Sequence, residues 1–517
     1  MTKKKRIFVL LLSIALISIS LFFLFYTTEE NEDILHLLPD KTIAYFETQD
    51  LKKLVSTVQS PRVSNFQLRD FPSGILLALA VTDFEFQEVN ENQDEAIVSL
   101  KPKFLGILKT EYWQRSNLSF VENQFDLIIR SFNGENLSRK REDGRIVWSA
   151  DGEEKFFCLV LHNLILFSND SELIEFASMQ TKNKMNNHSS KEVSGLAERK
   201  SKSNKYGEKF ITVERIKRER EKAKDALAFA YASKDCISKL SALVAASVAS
   251  FASEDKNSRE VLFKTINDSI SSSLESISWQ MSGSEGQIKD VFLVEVEKSL
   301  TEVFKSGFQP YKGEVSELVR FVPLKASGFT RYSFQNPRLA WRSFVLSIFG
   351  NISLLEYSAI TNLFFEVYGI KDAENFLDSV EQEIFVIRFD EDNSVIVGKV
   401  KDLEKLKKSI AGIDFAKKPA QEFGADVWRA DELAVALLEG KVFLGNPESV
   451  VECLKTGKED LKAVEVKMPE EIPVFTFSKS ENSHRKSKIL FSDLGIRYEH
   501  VSKSGLISNL LGLVDSR

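Results

Sequence analysis

Cysteine is scarce in this chain. Cys158, Cys236 and Cys453 are the only three in 517 residues, with no C-x-x-C among them. That excludes a disulfide-framework fold and any four-cysteine zinc module. Apolar residues flank all three, which reads as buried thiols, with one long-range disulfide as the other possibility. Histidine is equally sparse: His36, His162, His188, His484 and His500 are scattered, with no H-E-x-x-H and no Cys/His grouping, so no metal site is expected. The P-loop, G-x-G-x-x-G and G-x-S-x-G patterns are missing, and with them the sequence support for nucleotide or serine-hydrolase chemistry. Two S-x-x-K tetrads, Ser253–Lys256 and Ser483–Lys486, lie in polar, loop-like surroundings and assign nothing. Asp390, Glu391 and Asp392 precede Asn393-Ser394 and read as a turn rather than a Ca²⁺ loop. No cofactor is expected. Excess positive charge is also lacking: the net charge of −6 argues against a nucleic-acid partner.

Long apolar runs are absent except for one. Residues 7–26, Ile7 to Tyr26, carry no charge, Gly or Pro and are interrupted only by Ser13, Ser18 and Ser20. At about 1.5 Å rise per residue a helix of this length crosses the ~30 Å core of a bilayer, and the serines can bond back to helix carbonyls. Lys3, Lys4, Lys5 and Arg6 precede it; Glu29, Glu30, Glu32 and Asp33 follow. The positive-inside rule then keeps residues 1–6 in the cytoplasm and puts the chain from about residue 30 onward across the inner membrane, in the periplasm or outside the cell. The rival reading is a signal peptide cleaved after Ser18-Ile19-Ser20. It leaves an apolar mature N-terminus, Leu21 to Tyr26, so an uncleaved single-pass anchor is the better account. Ile237 to Phe251 is too short and too serine-rich to span, and reads as a buried helix.

What the chain has in quantity is ordinary globular material, 43% hydrophobic and 28% charged. Phe is over-used, 40 against 10 Tyr and 5 Trp; alternation within strand-like runs makes most of it core, with an aromatic binding surface as the alternative. The expected fold class is α+β: an N-terminal transmembrane helix, then an ectodomain with two related α+β modules built on antiparallel sheets. A spacer covers 27–35, the first module 36–180, and a polar, charged linker and helix 181–224. A middle α+β segment covers 225–321, the second module 322–460, and C-terminal strands and a helix 461–517.

The duplication rests on a recurring octet. Gly144-Arg-Ile-Val147-Trp148-Ser-Ala150-Asp151 matches Gly424-Ala-Asp-Val427-Trp428-Arg-Ala430-Asp431 at five positions of eight. Each octet leads into two apolar runs joined at a turn, His162-Asn163 or Glu439-Gly440-Lys441. Each then meets a helix start. Asn169 with Glu172 reads as a capping box, and Asn446 with Pro447 as a cap followed by proline at the first helical position. Asp50 and Asp402 read as helix caps too. Trp148 and Trp428 alternate with Val147 and Val427, so each faces away from the valine's side of the strand. The plain reading is a buried Trp at a packing surface; the functional one is an equivalent aromatic in each module lining a shared cleft. Glu214 to Lys224 alternates its charges as an exposed helix does, with a basic patch for anionic envelope polymers as the alternative.

The run Leu37-Leu38-Pro39-Asp40-Lys41-Thr42-Ile43-Ala44-Tyr45-Phe46 after an anchor resembles the opening of a bacterial group of envelope proteins, the "domain of unknown function 3352" family. Val397-Gly398-Lys-Val400-Lys-Asp402 and the Gly440-to-Glu448 segment are similar to it as well. The resemblance covers most of the chain beyond the anchor, on short structural motifs, and implies no activity or catalytic residue.

These readings converge on a membrane-anchored extracytoplasmic protein. Its partners would be the bilayer, through residues 7–26, and an envelope protein or polymer. Its role would be binding or scaffolding rather than catalysis. A membrane-tethered hydrolase whose residues meet only in three dimensions is the alternative, and a chaperone-like clamp for secreted chains a third.

Overall fold

The computed structural model describes residues 34–57, 74–92, 95–111, 114–125, 137–142, 144–150, 153–190, 210–252, 256–284, 286–311, 317–349, 354–390, 392–458, 464, 466, 468–469, 471–480 and 483–506. The expected anchor, 7–26, lies outside them. Among the described residues no helix is long and apolar enough to cross a membrane. The chain divides into two units, Met1–Cys236 with Gln280–Ser282 and Ile507–Arg517, and Ile237–Trp279 with Gly283–Leu506.

The first unit holds β1 (Ala44–Thr48), β2 (Leu76–Asn92), β3 (Glu95–Lys109), β4 (Ser138–Glu142), β5 (Arg145–Ala150), β6 (Glu153–Leu161), β7 (Leu164–Ser168) and β8 (Ala228–Ser233). Antiparallel pairing gives the order β8-β1-β2-β3-β7-β6-β5-β4. Both faces are covered, which is why β5 and β7 read as nearly continuous apolar runs rather than alternating ones. On one face Tyr45, Leu105, Val147 and Leu166 pack beneath Ile174 of the helix Ser171–Ser190 and Ile216 of the helix Phe210–Lys222. On the other, Ile146, Trp148, Cys158 and Ile165 pack with Val121.

The second unit contains β9 (Leu274–Ser284, three residues of which group with the first unit), β10 (Gln287–Val296), β11 (Gly328–Ser333), β12 (Val380–Arg388), β13 (Ser394–Val400), β14 (Ala420–Glu422), β15 (Ala425–Arg429), β16 (Ala434–Leu438), β17 (Lys441–Gly445), β18 (Val474–Ser480), β19 (Ser483–Ser492) and β20 (Gly495–Ser502). The order from β18 is β18-β11-β12-β13-β17-β16-β15-β14. This is the order of the first unit, strand for strand. On its far side β18 continues through β19 and β20 to β10. Val427, Phe443 and Val450 lie in one core layer, and Val435, Val442 and Leu444 in the layer on the opposite face.

The expected fold class is corrected here. Instead of two modules, each on its own sheet, all twenty strands belong to one antiparallel sheet, accompanied by twelve α-helices among the described residues. The physical reason is edge pairing. A module ending at residue 180 would leave β1 with an open row of N–H and C=O groups, and one ending at 460 would do the same to β11. Those edges are closed by β8 and β18, far along the chain.

Local chemistry follows the turn residues. The β16–β17 loop is Glu439-Gly440, with φ of 49° and 73°, the left-handed pair a two-residue hairpin requires; His162, between β6 and β7, has φ 51°. Asp50 and Asp402 accept hydrogen bonds from Lys53 N and Lys405 N as helix caps. The expected capping box at Asn169 is replaced: Asp170 Oδ1 accepts from Glu172 N, while the Asn169 side chain bonds Phe104 N and Pro102 O across to β3. All three cysteines are buried, and burial pushes the Cys158 and Cys453 thiols up.

Candidate functional site

A cavity of about 330 Å³ in the first unit is walled by β1 and the charged helix Phe210–Lys222. On β1 the period of two puts Tyr45 and Glu47 on one face, with Gln49 next in register. On the helix, positions 217, 220 and 221 share a face by their three- and four-residue spacing, and Lys224 follows in the turn just beyond. Leu35, Leu227 and Phe229 supply apolar wall.

The most constrained group there is Glu47, 2% exposed. Arg220 grips it through both nitrogens of one fork, Nε to Oε2 at 2.7 Å and Nη2 to Oε1 at 2.8 Å. Tyr45 Oη donates to Oε2 at 2.6 Å, and Gln49 Nε2 donates to Oε1. This buried carboxyl accepts four hydrogen bonds, two of them from one bidentate guanidinium, and its oxygens are fully engaged. It has no lone pair left to take a proton from a substrate. A neighbouring acid, Glu219, is likewise engaged, by Arg218 at 3.0 Å and Lys222 at 2.7 Å.

The second unit carries a polar cluster on one face of β10, β19 and β20. Asp290 and His500 are cross-strand partners, and Ser487 pairs with His500 on the other side. Ser487 Oγ lies 2.8 Å from His500 Nδ1, and Tyr498 Oη donates to Ser487 Oγ at 3.1 Å. Asp290 is fully buried; its oxygens accept from Trp279 Nε1 at 3.0 Å and Leu506 N at 2.9 Å. Burial raises Asp290 and lowers His500 from their ordinary values. The residue types are those of an acyl-transfer triad, but the arrangement is not. Among the described residues His500 Nε2 has no hydrogen-bond partner, so the Asp290 carboxylate does not orient the ring.

Neither sequence-nominated tryptophan lines the cavity. Trp148 is fully buried, edge-on to Phe156 at 5.8 Å. Trp428 is half-buried, donates Nε1 to Lys417 O at 2.9 Å and meets Phe415 edge-on at 5.4 Å. The two strands place tryptophan alike and the surroundings use it differently. The Ser483–Lys486 tetrad falls on β19, where three-residue spacing sends the two side chains to opposite faces; Ser253 lies outside the described residues. Asp390 forms a turn with Asn393, whose side chain and N–H hold the carboxyl below its usual range. Among the described residues no group of three His, Cys, Asp or Glu is placed to hold a metal ion. Sequence reasoning passed over Glu47 and Arg220; the available signal was an acid inside the apolar strand Ala44-Tyr-Phe-Glu-Thr48.

No protein-family model matches this chain, and no curated protein does. Among solved structures, crystal form I of TP0453 aligns over 40% of this chain and 99% of its own, at 8% identity and a TM-score of 0.17. Crystal form IV of the same protein gives 39%, 97%, 9% and 0.18. The DNA polymerase III β chain of Streptococcus pneumoniae aligns over 89% of this chain and 99% of its own, at 9% identity and a TM-score of 0.09. Similarities of this size establish neither a family nor a fold for the chain.

Proposed function

We propose that this chain is a non-enzymatic binding protein of the bacterial envelope. Residues 7–26 tether it to the inner membrane, residues 1–6 stay in the cytoplasm, and the folded part faces the periplasm or exterior. The cavity on β1 is its binding site. One observation carries the reading: the buried acid of that cavity is saturated by Arg220, Tyr45 and Gln49 and so is not free to act as a base. A photo-crosslinking amino acid in place of Lys224, in full-length protein in intact cells, tests it. A discrete adduct that disappears when the crosslinker is moved to Lys140, on β4, is the expected result. Identical background at both positions counts against the site.

A hydrolase reading has one observation in its favour, the 2.8 Å approach of Ser487 to His500. A fluorophosphonate that labels Ser487 would favour it over binding.

A further inference from the structure

Two ammonium groups line the cavity wall. Lys217 and Lys224 form no ion pair or hydrogen bond among the described residues, whereas Arg220 between them is spent on Glu47. One acid, the exposed Glu221, also borders the cavity, so the unlocked charge on the wall is two positive against one negative. The facing wall is apolar, made by Leu35, Leu227 and Phe229.

We propose that the cavity takes a small amphiphilic anion: a carboxylate or phosphate monoester carried on an aryl or short acyl body. This deepens the binding reading above and rests on it. A neutral apolar ligand would desolvate the two ammonium groups without replacing their water. A cation would meet net repulsion. A long polyanion would leave the apolar wall unused and does not fit about 330 Å³, which is at the small end of ligand pockets. The locked arginine also sets the selectivity. Arginine holds phosphate or carboxylate through a fixed fork, while lysine acts as a point charge on a flexible stem. With Arg220 withdrawn, head-group recognition falls to the two lysines, so carboxylate and phosphate are accepted alike. The same logic makes Glu47 a restraint on affinity: releasing Arg220 adds a third cation to the site.

The test is calorimetric titration of the full-length chain in phosphatidylcholine nanodiscs. Phenyl phosphate, benzoate and benzylamine serve as probes, in low and high salt. Both anions bind within tenfold of each other and more weakly in high salt, and benzylamine gives no heat. Reversing Lys217→Glu and Lys224→Glu together, both exposed and outside the core, weakens both anions at least tenfold with melting unchanged. Glu47→Gln tightens phenyl phosphate, a direction that misfolding would not produce. Discs doped with phosphatidylglycerol separate the sources. Competition that the double lysine reversal abolishes assigns a lipid head group; its absence, with phenyl phosphate still binding, assigns a free solute. Equal binding of benzylamine, indifference to the double reversal, or no heat from either anion overturns the proposal. Adducts at residue 224 in cells without anion selectivity in vitro would sink the ligand class alone. Anion selectivity without adducts would instead sink the partner role of the site.

Discussion

Glu499 on β20 is surrounded by Lys289 at 3.1 Å, Lys488 at 2.9 Å and Arg497 at 2.8 Å. Burial pushes its carboxyl up, but the three cations outweigh that and hold it at about 2, below the ordinary 4.5. A carboxyl depressed on folding stabilises the native state above its unfolded value, and that stability is lost as pH falls from about 4.5 towards 2. Glu499→Gln therefore lowers the melting temperature at pH 7 and flattens the decline across that window. Melts of both proteins in steps from pH 7 to pH 2 check it; parallel curves would contradict it. His500 contributes separately. Its folded value is lowered by burial, so its share is lost as pH falls below about 6.5, and this loss persists in the Glu499 variant. The two tryptophans make a second residue-scale contrast. Trp148→Ala empties a fully buried site and costs about 3–5 kcal/mol. Trp428→Ala gives up one hydrogen bond and one ring contact, about 2 kcal/mol. Urea unfolding of each variant measures both; equal losses would mean that the two sites are packed alike.

Among the elements, caps and hairpins were the most legible features, because their chemistry is complete within four or five residues. Asp402, Asp50 and the Glu439-Gly440 turn could be read from sequence for that reason. Asn169 misled because its side chain has a longer-range use: it fastens the end of β7 to Phe104 and Pro102 of β3, leaving the cap to Asp170. Its counterpart Asn446 does cap, accepting from Glu448 N at 3.0 Å. Asp170→Ala and Asn446→Ala therefore each cost about 1 kcal/mol through a lost cap. Asn169→Ala acts instead by loosening β3 from β7. Amide hydrogen exchange separates the cases: the cap variants speed exchange in the first helical turn, and the Asn169 variant speeds it at Phe104.

At the scale of the molecule, the octets around Trp148 and Trp428 mark equivalent strands, β5 and β15, in two runs with the same strand order. The partners of β1 and β11 were not legible, since nothing in a strand's own sequence names a partner so far along the chain. The sheet therefore runs through segments that read as a middle piece and a tail. The site was half legible for the same reason: the charged helix was evident, and its ion pair with Glu47, 173 positions away, was not.

The proposed role depends on the tether, and alkaline carbonate extraction of cells expressing the full-length chain tests that most directly. The expected result is that the chain stays in the membrane pellet, and that deleting residues 7–26 releases it to the supernatant. A full-length chain recovered in the carbonate supernatant would contradict it.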